Sequence, residues 1–236
     1  LTETGVTIHL NLAKITNVPG KKQFVEKVGN YTVLTTSINY ASSKQLMLKR
    51  LMDIAGGLVG CILTGIICVF VGPAIYIASP GPIFFAQKRV GRNGRIFKMY
   101  KFRSMGVQDP KKEAKEWTTK NDVRVTPVGR VIRKTSLDEL PQFWNVLKGD
   151  MSLIGPRPER PLFVEKFKEE IPRYMIKHQV RPGITGWAQV NGFRGDTSIR
   201  SRIEHDLYYI ENWSLGLDIK ILFLTFFKGF VNKNAY

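Results

Sequence analysis

The sequence predicts an α+β fold that is mainly helical and attached to a membrane. Three observations support this prediction: a charge-free apolar run at residues 54–79, short stretches in which apolar and polar residues alternate, and longer stretches with helical periodicity. The alternating stretches are short and the helical ones are more numerous, so helix should outweigh sheet. The chain has 236 residues, enough for one domain with attachments.

The apolar run at residues 54–79 is the main membrane signal. Its 26 residues would extend about 39 Å as a straight helix, more than the ~30 Å hydrocarbon core of a bilayer, so a single spanning helix is one interpretation. Two features favour a re-entrant helix over residues 46–80 instead. Gly72-Pro73 would bend or break the helix, and lysines and arginines flank both ends, as is typical of cytoplasmic segments.

A second apolar segment, residues 217–230, is edged by Lys220 and Lys228. It fits an amphipathic helix in the membrane interface, with both lysines reaching lipid headgroups. A helix buried in a protein core would have the same composition, so the sequence leaves both alternatives open.

Strand signals occur in two places. Near the N-terminus, alternation at residues 6–10 and 31–35 predicts two strands, in a region with the character of the end of a preceding domain. Farther along, residues 83–87 and 96–105 predict a hairpin whose turn includes Asn93-Gly94. After the hairpin, helices are predicted at 110–119, 143–148, 162–170 and 199–211, and residues 128–134 lead into Asp138-Glu139.

The charge balance points to an anionic partner. Lys and Arg outnumber Asp and Glu by 36 to 19, a formal net charge of +17, and composition leaves nucleic acid, acidic lipid and a phosphorylated substrate as alternatives. Cys61 and Cys68 lie in the apolar run, which argues against a disulfide framework or a Cys-based metal site. The three histidines lack metal-ligand spacing, and no Walker or G-x-G-x-x-G motif occurs.

Asp138-Glu139 is the strongest candidate for a reactive site. The pair stands in cationic sequence that includes Arg130 and Lys134, so its carboxylates can stay ionised and hold a metal ion or attack phosphorus. Ser136-x-x-Glu139 also fits a helix capping box, and spacing alone favours that structural interpretation.

Several basic residues suit the binding of phosphate. Arg133 precedes the acid pair, Arg157 stands between two prolines, and Arg181 stands before Pro-Gly. Alternation along the second hairpin strand places Lys101 and Arg103 on one face, where a solvated edge is the alternative.

Several motifs together resemble a known family: KRLMD at 49–53, SPGPIF at 79–84, YKFRSM at 100–105, TSLDELPQ at 135–142, NVLKGDMS at 145–152, GPRP at 155–158, and the segments 181–192 and 213–236. In this order they resemble the bacterial sugar transferases, which are monotopic polyprenyl-phosphate phosphoglycosyl transferases. The resemblance runs from about residue 45 to the C-terminus and is highly specific. It implies a catalytic domain at 45–236, preceded at 1–44 by the remnant of a nucleotide-binding-like domain.

The resemblance implies a monotopic membrane protein with a re-entrant N-terminal helix, a small β-hairpin and interfacial amphipathic helices. It also implies a reaction in which a UDP-sugar gives its sugar-1-phosphate to undecaprenyl phosphate and UMP is released, the first membrane step of exopolysaccharide, capsule or O-antigen assembly. In that family the acid pair is catalytic, so Asp138 would attack phosphorus and Glu139, with Asp138, would hold Mg²⁺. Many short members break the membrane helix at Ser-Pro, whereas here Gly72-Pro73 is the internal candidate.

Further site residues follow from the same resemblance. Arg133 matches an arginine that meets a phosphate, Lys101, Arg103, Arg157 and Arg181 are expected near the site, and Gln189 lies in a loop that resembles the donor-binding region. The expected partners are a UDP-sugar, with glucose or galactose as the sugar, undecaprenyl phosphate and membrane lipid, without nucleic acid; a homo-oligomer is compatible with this expectation. The expected location is the bacterial inner membrane, with the catalytic domain on its cytoplasmic face.

Two alternatives remain open in the sequence. A membrane-anchored basic protein would use its charge to bind nucleic acid or acidic lipid, although its cations should then form a contiguous tract with stacking aromatics. A direct glycosyltransferase would move the sugar without its phosphate and release UDP instead of UMP.

Overall fold

The computed structural model describes residues 22–37, 39, 41–107, 122–195 and 197–229, which belong to two compact units. The first unit, Leu1–Ala41, contains an antiparallel hairpin of β1 (Lys22–Val28) and β2 (Tyr31–Ser37). Gly29 takes a left-handed conformation at the turn, with φ of 62°. The strand predicted at 31–35 is confirmed, while the one predicted at 6–10 lies outside the described residues.

The second unit, Ser42–Tyr236, begins with helix α1 (Ser43–Ala78), which has 36 residues. Ser42 and Gln45 form a reciprocal capping box at its start. The helix continues through Pro73 to Ala78, with Ser79 as its C-cap, so the break predicted at Gly72-Pro73 is absent. The physical reason is that proline removes one backbone donor, and a helix this long keeps its other hydrogen bonds.

Helix α1 combines a packed stripe with a large exposed apolar surface. In the described part of the chain it is the one helix whose length and composition would allow it to cross a membrane, and 11% of its most apolar window is buried. Asp53, Gly57, Gly60, Gly72 and Ile75 are its buried residues. Its exposed apolar side chains include Leu58, Val59, Ile62, Leu63, Ile66, Val69, Phe70, Tyr76 and Ile77.

The packed stripe contacts the same unit from one end of α1 to the other. Near the start, Asp53 accepts hydrogen bonds from the Ser152 hydroxyl and the Leu153 amide at 2.8 and 2.9 Å. Near the end, Ile75 packs in a core cluster with Phe102 and Ile132. Both ends of the helix are therefore held by one folded unit.

The predicted hairpin after α1 is confirmed. Strands β3 (Phe84–Val90) and β4 (Ile96–Phe102) pair antiparallel, from Phe84 opposite Phe102 to Val90 opposite Ile96. Their connection is a 3-10 turn at Arg92–Gly94 in which Asn93 has φ of 55° and Gly94 φ of 74°, so the Asn-Gly dipeptide supplies the left-handed residues.

The remaining elements follow in a mixed, mainly helical order. They are α2 (Pro127–Lys134), a 3-10 helix (Leu137–Glu139), α3 (Gln142–Lys148), β5 (Ser152–Ile154), α4 (Pro161–Glu170), a 3-10 helix (Tyr174–Gln179), β6 (Gly183–Thr185), α5 (Trp187–Val190), α6 (Ile199–Glu211) and α7 (Leu215–Gly229). The predicted mixed class with more helix than sheet is confirmed. Strands β5 and β6, a parallel pair, were not predicted, and the helix predicted at 110–119 lies outside the described residues.

Helix α7 ties the C-terminal region to the start of α1. Asp218 is fully buried and pairs with Lys49 of α1, at 2.7 Å between Nζ and Oδ2. Ile221 is also fully buried, whereas Ile219 and Phe223 on the same helix are exposed. The core alternative is thus right for one face of α7, and the interfacial position of its other face stays a prediction.

Candidate active site

The predicted acid pair lies in the 3-10 helix Leu137–Glu139, directly after α2. Both Asp138 and Glu139 are 7% exposed, so the pair is buried rather than solvated. Ser136 adopts a left-handed conformation, with φ of 58°, and its side chain makes no capping hydrogen bond. The capping-box interpretation of Ser136-x-x-Glu139 is therefore wrong: the left-handed turn ends α2, and the Glu139 side chain has other partners.

Glu139 is surrounded by three cationic side chains. Its Oε1 lies 2.9 Å from Lys101 Nζ and 2.7 Å from Arg157 Nη2, and its Oε2 lies 3.2 Å from Arg194 Nη2. Burial alone would raise the pKa of Glu139, but Arg157, Lys101 and Arg194 together hold that pKa well below its ordinary value. Glu139 is consequently ionised throughout the physiological pH range.

Asp138 is held more loosely than its neighbour. Lys101 Nζ lies 3.5 Å from Asp138 Oδ2, so a single ammonium group contacts both carboxylates. Burial raises the pKa of Asp138, and the Glu139 charge raises it further, while Lys101, Arg133 and Arg194 oppose the shift. The two adjacent acids thus have pKa values displaced in opposite directions, an arrangement that is common where two carboxylates have different roles.

The position of Lys101 follows from how β4 docks on α3. Asn145 of α3 is fully buried, and its amide accepts from the Tyr100 N–H at 3.0 Å and donates to the Lys98 carbonyl at 2.8 Å. A side-chain amide that pairs with the strand backbone fixes the register between strand and helix. Since α3 follows the 3-10 helix at once, the same docking places Lys101 beside the acid pair.

Arg133 reaches the site from α2, and its Nε donates to the Ser104 hydroxyl at 2.7 Å. Burial lowers the pKa of Arg133, and the charge of Asp138 raises it. Helix α2 approaches the backbone at Ser104 so closely that a Cβ at Gly129 would overlap the Ser104 carbonyl. This contact fixes the position of α2, and with it Arg133.

The structure brings Lys101, Arg133 and Arg157 to the acid pair but places three other predicted binding residues elsewhere. Arg103 is buried, and its guanidinium donates to the carbonyls of Ser79 and Pro80 after α1. Burial lowers the pKa of Arg181, and the charges that act on it are those of Arg50, Arg92 and Asp53, outside the acid pair. Gln189 is buried and donates from Nε2 to the Ile184 carbonyl at 2.9 Å.

Arg194 is a site residue that the sequence analysis did not select. It stands between Phe193 and Gly195, two positions beyond the 181–192 segment of the family resemblance. A lone arginine in a glycine-containing loop is a weak signal, because such loops usually face solvent. Its pairing with Glu139 depends on how the loop folds back over the acid pair.

The acid pair is compatible with one metal ion that takes some of its ligands from the protein and the others from a substrate. In the described ranges, no group of three or more His, Cys, Asp or Glu side chains gathers in one place. Asp138 and Glu139 offer two carboxylates, the number that Mg²⁺ typically takes from a protein when phosphates and water supply its other ligands. Glu139 would have to exchange at least one of its ion pairs for the metal.

Chemically, this arrangement suits an anionic substrate approached by a carboxylate. Lys101, Arg133, Arg157 and Arg194 supply positive charge around the pair, and arginines can bind phosphate oxygens through two parallel N–H groups. Such a site can neutralise a diphosphate while a buried carboxylate attacks it.

Comparisons with known proteins agree with the sequence resemblance. The family model described as "Bacterial sugar transferase" matches residues 44–232. The UDP-glucose:undecaprenyl-phosphate glucose-1-phosphate transferase of Escherichia coli (strain K12) is 49% identical over 195 residues, which are 80% of this chain and 42% of that protein. The UDP-N-acetylgalactosamine-undecaprenyl-phosphate N-acetylgalactosaminephosphotransferase of Aeromonas hydrophila is 52% identical over 180 residues, 75% of this chain and 42% of that protein.

A shorter relative aligns over most of its own length. The uncharacterized sugar transferase EpsL of Bacillus subtilis (strain 168) is 42% identical over 188 residues, which cover 80% of this chain and 90% of that protein. The chain spans about two fifths of the length of the E. coli and A. hydrophila relatives. The family model covers almost all of the second unit, including the acid pair and its four cations. The chain therefore belongs to the bacterial sugar transferase family.

Proposed function

We propose that this protein transfers a sugar-1-phosphate from a UDP-sugar to undecaprenyl phosphate and releases UMP. The observation that carries the proposal is the buried pair Asp138 and Glu139 beside Lys101, Arg157 and Arg194, a site suited to two phosphate-bearing substrates. The names of the relatives from E. coli and A. hydrophila describe this type of reaction. The transfer would begin the assembly of an exopolysaccharide, capsule or O-antigen.

The proposed mechanism has two displacements at one phosphorus atom. In the first, a carboxylate oxygen of Asp138 bonds to the phosphorus that carries the sugar, and the bond from that phosphorus to the UMP oxygen breaks. In the second, an oxygen of the lipid phosphate bonds to the same phosphorus, and the acyl-phosphate bond to Asp138 breaks. The product is a polyprenyl diphosphate sugar, and Asp138 returns to its ionised form.

The pKa values of the two acids support this division of roles. Asp138, with a raised pKa, has the more basic and hence more nucleophilic carboxylate when ionised. Glu139 stays ionised and keeps Lys101, Arg157 and Arg194 in place around the reacting phosphates. These three cations and Arg133 would offset the charge that arises when an anion approaches a diphosphate.

We also propose that Mg²⁺ takes part, held by Glu139 and Asp138 together with phosphate oxygens of the substrate. Magnesium would supply Lewis-acid stabilisation of the phosphate charge and help UMP to leave. Lys101 is the residue best placed to compensate when Glu139 turns to the metal, because its ammonium contacts both acids.

For membrane attachment we propose that α1 enters one leaflet without crossing the bilayer. The support is that Asp53 near its start and Ile75 near its end contact the same folded unit. A helix that crossed the bilayer would place its two ends at opposite interfaces, about 30 Å apart, where a single folded unit on one side could not contact both. The corresponding location is the cytoplasmic face of the bacterial inner membrane.

A cavity beside α1 is a candidate site for the lipid chain of the acceptor. It has a volume of about 420 Å³, within the range typical of small-molecule sites, and its lining is mostly apolar. Its lining residues are Cys61 and Thr64 of α1, Phe84 and Tyr100 of the hairpin, and Pro141 and Trp144 at α3. Pro141 stands two residues after Glu139, which links the cavity to the turn that carries the acid pair.

The sugar is the least constrained part of the proposal. UDP-glucose and UDP-galactose are our first candidates as donors, and the relatives with nearly equal identity are named for glucose and for N-acetylgalactosamine. The similarity to both relatives does not distinguish between these sugars, so the donor test has to include UDP-N-acetylgalactosamine.

The test is a product assay with the purified chain in lipid nanodiscs that contain undecaprenyl phosphate and Mg²⁺. Each UDP-sugar is supplied separately, and nucleotides and lipid products are separated by chromatography. We expect UMP and a polyprenyl diphosphate sugar in equal amounts with at least one donor. Release of UDP with a polyprenyl monophosphate sugar would establish the direct glycosyltransferase instead.

A further inference from the structure

The two arginines that hold Glu139 come from separate loops. Arg157 lies in the loop between β5 and α4, and Arg194 lies in the loop between α5 and α6. Neither loop belongs to the 3-10 helix that carries Glu139, so something else must fix where the two guanidinium groups stand. The structure contains a candidate for this role in Arg202 of α6.

The loop that carries Arg157 is fastened just after that residue. The Pro158 carbonyl accepts a hydrogen bond from Arg89 Nη1 at 3.0 Å, and the Glu159 carbonyl accepts one from the Val90 N–H at 2.9 Å. The Glu159 side chain, 6% exposed, turns inward and accepts from Arg202 Nη1 at 3.2 Å. The chain two residues beyond Arg157 is thus anchored to α6.

The loop that carries Arg194 is fastened by the same guanidinium. Arg202 Nη2 donates to the Gly195 carbonyl at 2.6 Å and lies 3.4 Å from the Thr197 hydroxyl. Gly195 directly follows Arg194 and has φ of 74°, so the turn there suits glycine. The Arg202 side chain therefore contacts both loops at once, one through each terminal nitrogen.

Burial makes this contact strong and geometrically strict. Arg202 is 4% exposed, and its planar guanidinium presents its donors in a fixed fork. One turn later on α6, Asp206 pairs with Lys177 at 3.2 Å, so the neighbouring charges are also matched. A buried charged group that lost its partner would destabilise this region, which favours one arrangement of the two loops.

We propose that Arg202 is a positioning residue for the transfer reaction: it holds Glu159 with one nitrogen and the Gly195 carbonyl with the other, and so sets Arg157 and Arg194 against Glu139. The effect on catalysis rests on the proposed function above, whereas the effect on the two loops does not. Arg202 itself has no contact with either acid among those the structure records.

The experiment uses three variants of the full chain in nanodiscs. Arg202→Met removes both sets of contacts, Arg202→Lys keeps the charge but loses the planar fork, and Glu211→Gln is the control on the same helix. Glu211 pairs with Arg173 at the surface, away from both loops. Hydrogen exchange measured by mass spectrometry reports on segments 155–159 and 192–198, and steady-state kinetics report on transfer.

We expect Arg202→Met to increase exchange in both segments together and to lower kcat/KM by about 10²-fold, the scale of a 1 Å misplacement of catalytic groups. Compared with Arg202→Met, Arg202→Lys should recover part of the stability of the two loops but little of kcat. An ammonium group keeps the charge but does not reproduce the planar set of N–H donors of a guanidinium. Glu211→Gln should leave both segments and the kinetics unchanged.

The outcomes separate this inference from the proposed function. Faster exchange in only one segment, or in neither, would overturn the claim that Arg202 holds both loops. Faster exchange in both segments with unchanged kcat/KM would overturn its role in catalysis. If the wild-type chain transferred no sugar-phosphate at all, the proposed function would fail, and the exchange measurements would still decide whether Arg202 positions the two arginines.

Discussion

The hydroxyl of Thr64 donates a hydrogen bond to the carbonyl oxygen of Leu140 at 3.1 Å, which joins the middle of the long apolar helix to the residue directly after Glu139. The Gly60 carbonyl one turn earlier, 2.6 Å from the same hydroxyl oxygen, shares this proton. Beside it, the ring of Phe143 packs against Gly60. The acid pair is therefore built directly on the helix that we expect to enter the membrane.

Gly60 and Gly65 provide a matched test of this contact on one helix. A Cβ at Gly60 would overlap the Phe143 ring, whereas a Cβ at Gly65 would meet nothing within 4 Å. We expect Gly60→Ala to destabilise the protein by about 1–3 kcal/mol through overpacking. Gly65→Ala should be neutral or stabilise it by up to ~1 kcal/mol, because alanine is the better helix former.

Unfolding in detergent, followed by circular dichroism, measures both free energies. Phe143→Leu in the Gly60→Ala background should recover part of the loss, since it makes room for the added methyl group. Equal stabilities of the two alanine variants would contradict the packing described here.

The nucleophile assignment predicts the behaviour of Asp138→Asn. The amide has nearly the same shape but cannot form the acyl phosphate, so we expect transfer to fall by more than about 10³-fold, as for other covalent nucleophiles. Labelled donor should leave no radioactivity on the denatured protein. Glu170→Gln, at an exposed residue that pairs with Lys166, is the control and should retain both transfer and labelling. Normal labelling of Asp138→Asn would end the assignment.

The pH dependence of enzyme labelling should follow the ionisation of Asp138. Burial raises the pKa of Asp138, so protonation removes the nucleophile at a higher pH than for an ordinary aspartate. Lys101 lowers that pKa, so Lys101→Met should move the acidic limb of the profile to higher pH. The pKa of Glu139 is held well below its ordinary value, so Glu139 does not set this limb.

Single-turnover labelling at a series of pH values measures the acidic limb, the pH range over which labelling is lost as Asp138 becomes protonated. Lys166→Met removes a positive charge from an exposed lysine that pairs with Glu170, and should leave the profile where it is. A limb that stays fixed in Lys101→Met, or moves to lower pH, would count against the assignment of the limb to Asp138.

Glu139→Gln tests the proposed magnesium site. The change keeps the side-chain shape but removes a metal ligand and leaves Lys101, Arg157 and Arg194 without their shared anion. We expect the Mg²⁺ concentration that gives half-maximal transfer to increase, with a loss of kcat at saturating metal. An unchanged metal requirement together with an unchanged rate would place the metal elsewhere.

The Lys49–Asp218 ion pair should contribute strongly to stability. Asp218 is fully buried and also accepts from Tyr209 and Trp213, so removal of Lys49 would leave a buried carboxylate without its cation. We expect Lys49→Met or Asp218→Asn to cost about 3–5 kcal/mol, and the double variant to cost less than the sum of both. Lys166→Met, at an exposed pair with Glu170, should cost less than about 0.5 kcal/mol.

Thermal unfolding of the four variants measures these differences. Additive losses in the double variant would show that the two side chains do not depend on each other. A loss at Lys166 as large as that at Lys49 would show that burial does not decide the strength of these pairs.

The hairpin and the helices were predictable because their signals are local. Asn93-Gly94 marks the turn, Gly149 marks the end of α3, and periodicity marks α6. Strands β5 and β6 have three residues each, too short for alternation to show, and their parallel pairing joins distant segments. The long helix was predicted, but the break at Gly72-Pro73 was wrong because a local rule overestimated the effect of one lost hydrogen bond.

The candidate site was predictable only in part, for a related reason. The acid pair, Lys101, Arg133 and Arg157 stand in recognisable motifs, and the structure brings them together. Arg103 has the same charge and directly follows the strand that carries Lys101, yet its guanidinium donates to the carbonyls of Ser79 and Pro80. Packing between distant elements decides which cation faces the acids. Arg194 could be recognised as a site residue only from the folded position of its loop.

The contact between Lys49 and Asp218 also constrains the order of events during synthesis. The two residues are 169 positions apart, so a ribosome completes most of this unit before Lys49 can meet its partner. Until then the apolar helix has left the exit tunnel without the C-terminal helix that fastens it. On the proposed membrane attachment, α1 would reach lipid before α7 fastens its start, and a chain truncated before Asp218 should insert into membranes without completing its fold.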